Sequence, residues 1–70
     1  MTKLGEFLAK KSVSRAKVAR KTGLSETRLS LLANDESTVL KAGELYVIAL
    51  AIDVNPCELL EYICGDIKLK

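Results

Sequence analysis

The sequence predicts an all-α fold of five short helices, and three observations carry that expectation. Apolar residues recur at three- and four-residue spacing in successive short segments, as in Leu4, Phe7 and Leu8 or Leu45, Ile48, Ala49 and Ile52. Capping residues stand at the segment starts (Ser14, Ser25, Asn55), and Gly23 and Gly65 stand where segments stop. Hydrophobic residues make up 49% of the chain, yet only Phe7, Tyr46 and Tyr62 are aromatic, so the core should be aliphatic and helical. A chain of 70 residues makes one domain, near the size at which a hydrophobic core is only marginally sufficient. We expect a folded unit over residues 1–65 and a tail over 66–70.

The first helix should span about residues 3–12, with Lys3, Lys10 and Lys11 on its polar side. Val13 follows as a hydrophobic staple before the Ser14 cap. Ser14 opens a second helix over about Arg15–Lys21, its side-chain oxygen accepting from an otherwise unpaired amide. Thr22-Gly23-Leu24 is the turn, where Gly23 tolerates a left-handed backbone. Ser25 caps a third helix beginning at Glu26, whose carboxylate lies near the positive end of the helix dipole. Val18, Ala19, Leu24, Leu29 and Leu32 can share one apolar face, leaving Glu26, Thr27, Arg28, Ser30 and Leu31 pointing outward. A helix-turn-helix presents a short reading helix to the DNA major groove in this way, with the motif spanning about residues 14–34.

Asn34 to Leu40 reads as a loop. Lys41 to Asp53 reads as a fourth helix, apolar almost all the way round because Tyr46, Val47 and Leu50 extend its core face. Either the first and last helices cover that surface or it serves self-association. Asn55 caps the fifth helix, Pro56 fits its first position, and Glu58 completes a capping-box arrangement. Leu59, Leu60, Ile63 and Cys64 should close the core, and Gly65 ends the helix. The tail, Asp66 to Lys70, either frays or adds a short strand at a dimer interface.

These residues carry a resemblance. Over roughly Leu4 to Ile63 the chain resembles the Cro/repressor type of helix-turn-helix protein, the Xre or lambda-repressor-like family. The matching features are Ala19, Gly23, Leu29 and Leu32 in the motif, and Asn55-Pro56-Cys57-Glu58-Leu59-Leu60 as its final helix. Ala49 to Asp53 stands where the family usually has Ala-x-x-Leu-Gly. The resemblance implies a compact five-helix domain that binds double-stranded operator DNA as a dimer. It also implies a phosphate clamp at Arg15. Two departures stand out. Many members pair an Arg on the first helix with a Glu at the end of the reading helix, and those positions are Leu8 and Ala33 here. Losing both charges together is coherent, because an unpaired buried charge is costly while an apolar replacement of the pair often is not. The loop departs too: Asp35 replaces the usual Gly, Glu36 follows, and both carboxylates would repel a nearby phosphate.

Charge distribution supports the DNA reading better than net charge does. The chain carries only +2, but residues 1–34 hold +6 and residues 35–70 hold −4. Such polarity would turn the basic half toward a polyanion. Candidate DNA-binding residues are Arg15, Lys17, Ser25, Glu26, Thr27, Arg28, Ser30, Leu31 and Asn34. Glu26 would accept from cytosine N4, Arg28 would reach guanine or a phosphate, and Leu31 would pack on a thymine methyl. Lys10, Lys11 and Lys21 are weaker phosphate candidates.

Other classes have little support. There is no His and no paired nucleophile and base, so an enzyme is not expected, nor a metal or other cofactor. Cys57 and Cys64 are two helical turns apart, about 10 Å at 1.5 Å per residue, too far for a disulfide, and are expected to be buried and reduced. The longest apolar run, Leu45 to Ile52, is too short to span a bilayer, and the amino terminus lacks a signal peptide's apolar segment. A cytoplasmic, nucleoid-associated setting is expected. Three functions remain open: a dimeric repressor or Cro-like regulator, the DNA-binding antitoxin of a toxin–antitoxin pair, and a protein-interaction module that kept the fold and lost DNA.

Overall fold

The computed structural model describes residues 1–70 as five α-helices without a strand. They are α1 (Lys3–Lys10), α2 (Arg15–Thr22), α3 (Glu26–Asn34), α4 (Ala42–Ala51) and α5 (Pro56–Cys64). Local chemistry accounts for most boundaries. The Ser14 hydroxyl accepts from the Lys17 amide at 3.3 Å and the Ser25 hydroxyl from the Arg28 amide at 3.0 Å. Asn55 Oδ1 accepts from the Cys57 amide at 2.8 Å. Gly23 ends α2 in the left-handed region at φ 81°.

Two helix ends and one cap differ from expectation. The first helix stops at Lys10, because Ser12 adopts φ 56° and turns the chain toward α2. The fourth stops at Ala51, with Asp53 left-handed at φ 58°. Asp53 occupies the place where the resembling family usually has Gly, so the conformation outlasts the residue that makes it easy. At α5 the capping box does not form: Asn55 caps, but Glu58 makes no return bond. A return bond of that kind appears at α4, where Glu44 Oε1 accepts from the Lys41 amide at 2.9 Å.

Every helix contributes to one core, built from Leu4, Phe7 and Leu8 of α1, Val18 of α2, Leu29 and Leu32 of α3, Ile48 and Ala49 of α4, and Leu59 of α5. Tyr62 of α5 packs edge-on against Phe7, ring centroids 5.1 Å apart. α3 packs on α1 and α2, while α4 packs on α2 and α5.

The start of α1 docks onto the end of α3. The Thr2 amide donates to the Ala33 carbonyl at 2.9 Å, and the Thr2 hydroxyl donates to the Leu32 carbonyl at 2.7 Å. That same hydroxyl accepts from the Gly5 amide at 3.0 Å, so Thr2 caps α1 while satisfying the end of α3. Gly5 makes the approach possible, since a Cβ there would sit well inside contact distance of the Ala33 carbonyl oxygen. Leu8 and Ala33, where many resembling proteins place a charged pair, are both buried.

Cover for α4 and α5 falls short. Tyr46 and Leu50 stay 54% and 53% exposed, and Leu60, expected in the core, is 46% exposed. An apolar groove of about 220 Å³ runs between Ala42, Leu45 and Tyr46 of α4 and Pro56, Cys57 and Leu60 of α5. Cys57 is exposed and Cys64 half-buried, correcting their expected place in the core. The reason is rotational: Leu59 is the buried residue of α5, and Cys57 lies two positions, about 200°, from it. Both thiols are free. The tail forms no strand; Asp66 pairs with Lys3 at 2.8 Å, while Ile67 and Leu69 are exposed.

Candidate nucleic-acid interface

Helical geometry sorts α3 into three arcs. Taking Glu26 as the origin and about 100° per residue, Ser30, Asn34, Thr27 and Leu31 follow within about 140°. Leu29, Leu32 and Ala33 occupy the opposite arc and are buried. Arg28 lies between, about 60° beyond Leu31 and 40° short of Leu32. Glu26, Thr27, Leu31 and Asn34 are exposed and Ser30 is half-buried. Asn34 Nδ2 donates to the Ser30 carbonyl at 3.0 Å, which leaves its side-chain oxygen on the surface. The Ser25 hydroxyl accepts from the Arg28 amide within its cap and keeps its O–H free to donate to a ligand.

Arg28 does not point outward as expected. Its Nε donates to Glu44 Oε2 at 2.8 Å, and its Nη2 donates both to Glu44 Oε1 and to the Val39 carbonyl, each at 3.0 Å. The boundary position that Arg28 holds on α3 aims the guanidinium along the protein surface, where Glu44 offers a bidentate partner. These hydrogen bonds, outweighing burial and helped by the Lys41 amide, hold the Glu44 carboxyl down at about 2. The sequence reading missed Glu44 altogether. The available signal was the rotational position of Arg28, which placed it off the outward arc.

The other basic residues divide into two groups. Arg15, at the first position of α2, is half-buried and forms no ion pair, and Lys17 is exposed. The first-turn amides of Arg15 and Ala16 have no acceptor within the chain, so a set of unpaired donors lies at the start of α2. Lys10 and Lys11 are directed elsewhere. Their ammonium groups lie 5.3 Å from the Tyr62 ring centroid and 5.4 Å from that of Phe7, in a depression shared with Glu58 and Glu61.

The acidic loop is partly self-satisfied. Asp35 Oδ1 accepts from the Ser37 hydroxyl at 2.7 Å and its amide at 3.0 Å, which lowers the Asp35 pKa. This is a local turn built by an aspartate side chain. Glu36 lines a shallow depression with Thr2, Lys3, Leu40, Ile63 and Asp66, on the side of α1 and α5.

The arrangement is that of a helix-turn-helix: two short helices joined at a left-handed glycine, the second presenting a polar ridge. Residues 3–65 match the family model of the Cro/C1-type helix-turn-helix DNA-binding domain, so the chain belongs to that family. No curated protein and no solved structure gave a significant match. The chain is therefore a helix-turn-helix DNA-binding protein of the Cro/Xre type. No helix is long and apolar enough to cross a membrane.

Proposed function

We propose that the protein is a sequence-specific regulator of transcription, repressor or Cro-like, that reads operator DNA in the major groove with α3. The observation carrying this reading is the exposed ridge of Glu26, Thr27, Leu31 and Asn34, with half-buried Ser30 among them, beside the unpaired donors of Arg15 and the α2 amides. In this pose Glu26 accepts from cytosine N4 and Leu31 packs on a thymine methyl. Arg15, with Lys17 and Ser25, holds phosphate and sets the register. The uncovered groove between α4 and α5 supports a homodimer: a C2 contact on this face would bury Tyr46 and Leu60 of both subunits.

Selection from a random duplex pool, followed by affinity across a salt series, tests the reading. A two-fold symmetric site with half-sites about one helical turn apart and a steep salt slope is the expected result. No enrichment and no salt-sensitive binding in dilute buffer would refute it. The antitoxin alternative shares the DNA contacts and differs in placing a toxin on the α4–α5 groove. Dimerisation in pure protein that Tyr46→Glu abolishes would favour the dimeric regulator.

A further inference from the structure

Arg28 is the only cation on α3, and its guanidinium is engaged by α4 and the preceding loop. Glu44 is similarly committed: its two oxygens accept two bonds from Arg28 and one from the Lys41 amide. The side chains are 30% and 12% exposed, so the carboxylate is the better enclosed of the two. No Cα atom of α3 comes within 8 Å of one in α4. The pair is therefore not a by-product of a tight helix interface. It is a link between the first turn of the reading helix and the first turn of a helix on the other side of the loop.

We infer that Glu44 is a specificity-determining residue for DNA recognition: by holding Arg28 against α4 it withdraws the single positive charge of the reading helix from the bases. The inference rests on the reading of α3 as the DNA-contacting helix. Arginine is the side chain best suited to guanine, because its donors match O6 and N7 together, and it is also drawn to any nearby phosphate. An unrestrained Arg28, one residue after Thr27, would impose guanine preference or non-specific phosphate affinity. With Arg28 restrained, base choice falls to Glu26, Thr27, Ser30, Leu31 and Asn34, none of which is basic. Glu44 acts only through Arg28 and is a positioning residue. Its carboxylate has no role on the nucleic acid itself.

The test compares three proteins in pool selection and in salt titrations on the wild-type site: wild type, Glu44→Gln, and Arg28→Gln/Glu44→Gln. Glutamine keeps the length of Glu44 and an oxygen for the Lys41 amide, so the single variant should fold. Released Arg28 should add a guanine preference at one position of each half-site. It should also steepen the salt slope by about one charge per protomer, so that a dimer on its two-fold site loses roughly a further tenfold in affinity between 50 and 200 mM salt. The double variant should select the same bases as wild type with an unchanged slope. A merely structural pair would leave base preference unmoved in Glu44→Gln, and that result would overturn the inference. Loss of preference at one position in the double variant would also overturn it, since Arg28 would then read a base in the wild type. A wild type without any salt-sensitive DNA binding would instead overturn the DNA reading itself, and this inference with it. Nitrogen-15 relaxation at Arg28 Nε checks the link without DNA. It should be rigid in wild type and mobile in Glu44→Gln, and an Arg28 as mobile in wild type as the exposed Arg20 would overturn the link.

Discussion

The two ends of α3 are held by different physics. Its C-terminal end is set by close packing: Ala33 is buried, Gly5 admits the backbone, and Thr2 supplies two hydrogen bonds to the last carbonyls. Its N-terminal end is set by charge, through the Arg28–Glu44 pair near the surface. The first attachment has no tolerance for added volume and is indifferent to pH. The second tolerates changes of shape but depends on ionisation. A helix anchored firmly at one end and electrostatically at the other can have its N-terminal end retuned without endangering the fold.

The sharpest way to break the comparison is Gly5→Ala. The new methyl would collide with the Ala33 carbonyl, and because that atom is backbone, α1 and α3 must separate. We expect a loss of about 3 kcal/mol in urea unfolding. A loss below about 1 kcal/mol would show that the dock is looser than described. Thr2→Val keeps the shape but removes the α1 cap and the bond to the Leu32 carbonyl, and should cost about 1–2 kcal/mol. A neutral result there would mean that water replaces both bonds.

Acid separates the two ends more cleanly than mutation does. Glu44 has its folded pKa lowered from 4.5 to about 2. Its contribution is therefore fully present above about pH 4.5 and is lost as pH falls toward 2. Thermal unfolding from pH 6 to pH 2 should show part of the acid destabilisation missing in Glu44→Gln and fully retained in Gly5→Ala. Equal acid slopes in wild type and Glu44→Gln would contradict the electrostatic account of the N-terminal end. The smallest effect is expected away from both ends. Asp53→Gly relieves a left-handed residue at φ 58° but adds freedom to the unfolded chain, for a net gain of about 0.5 kcal/mol. That variant should leave DNA binding unchanged.

Where the physics is local, the sequence was a sufficient guide. Ser14, Ser25 and Asn55 cap the helices that follow them, Gly23 takes the left-handed turn, and the apolar spacing around Val18, Leu29 and Leu32 predicts their burial. Each depends on atoms within about one helical turn, and periodicity reports that directly. The five-helix fold was legible for this reason. The exposed ridge of α3 followed from the same periodicity, except at Arg28, where a residue on the boundary between arcs can turn either way.

What tertiary structure decided are the contacts between residues distant in sequence. Arg28 and Glu44 are 16 positions apart, and Thr2 and Leu32 are 30 apart. No spacing rule links such pairs, because the chain's path between them sets their distance. Exposure of Tyr46, Leu60 and Cys57 is of the same kind: each belongs to an apolar stretch, and only the placement of α1 and α2 shows which faces stay uncovered. The sequence by itself thus determined the helices, their caps and the presence of a helix-turn-helix. Packing decided where Arg28 of α3 points, since orientation at an arc boundary depends on a partner brought in from elsewhere in the chain.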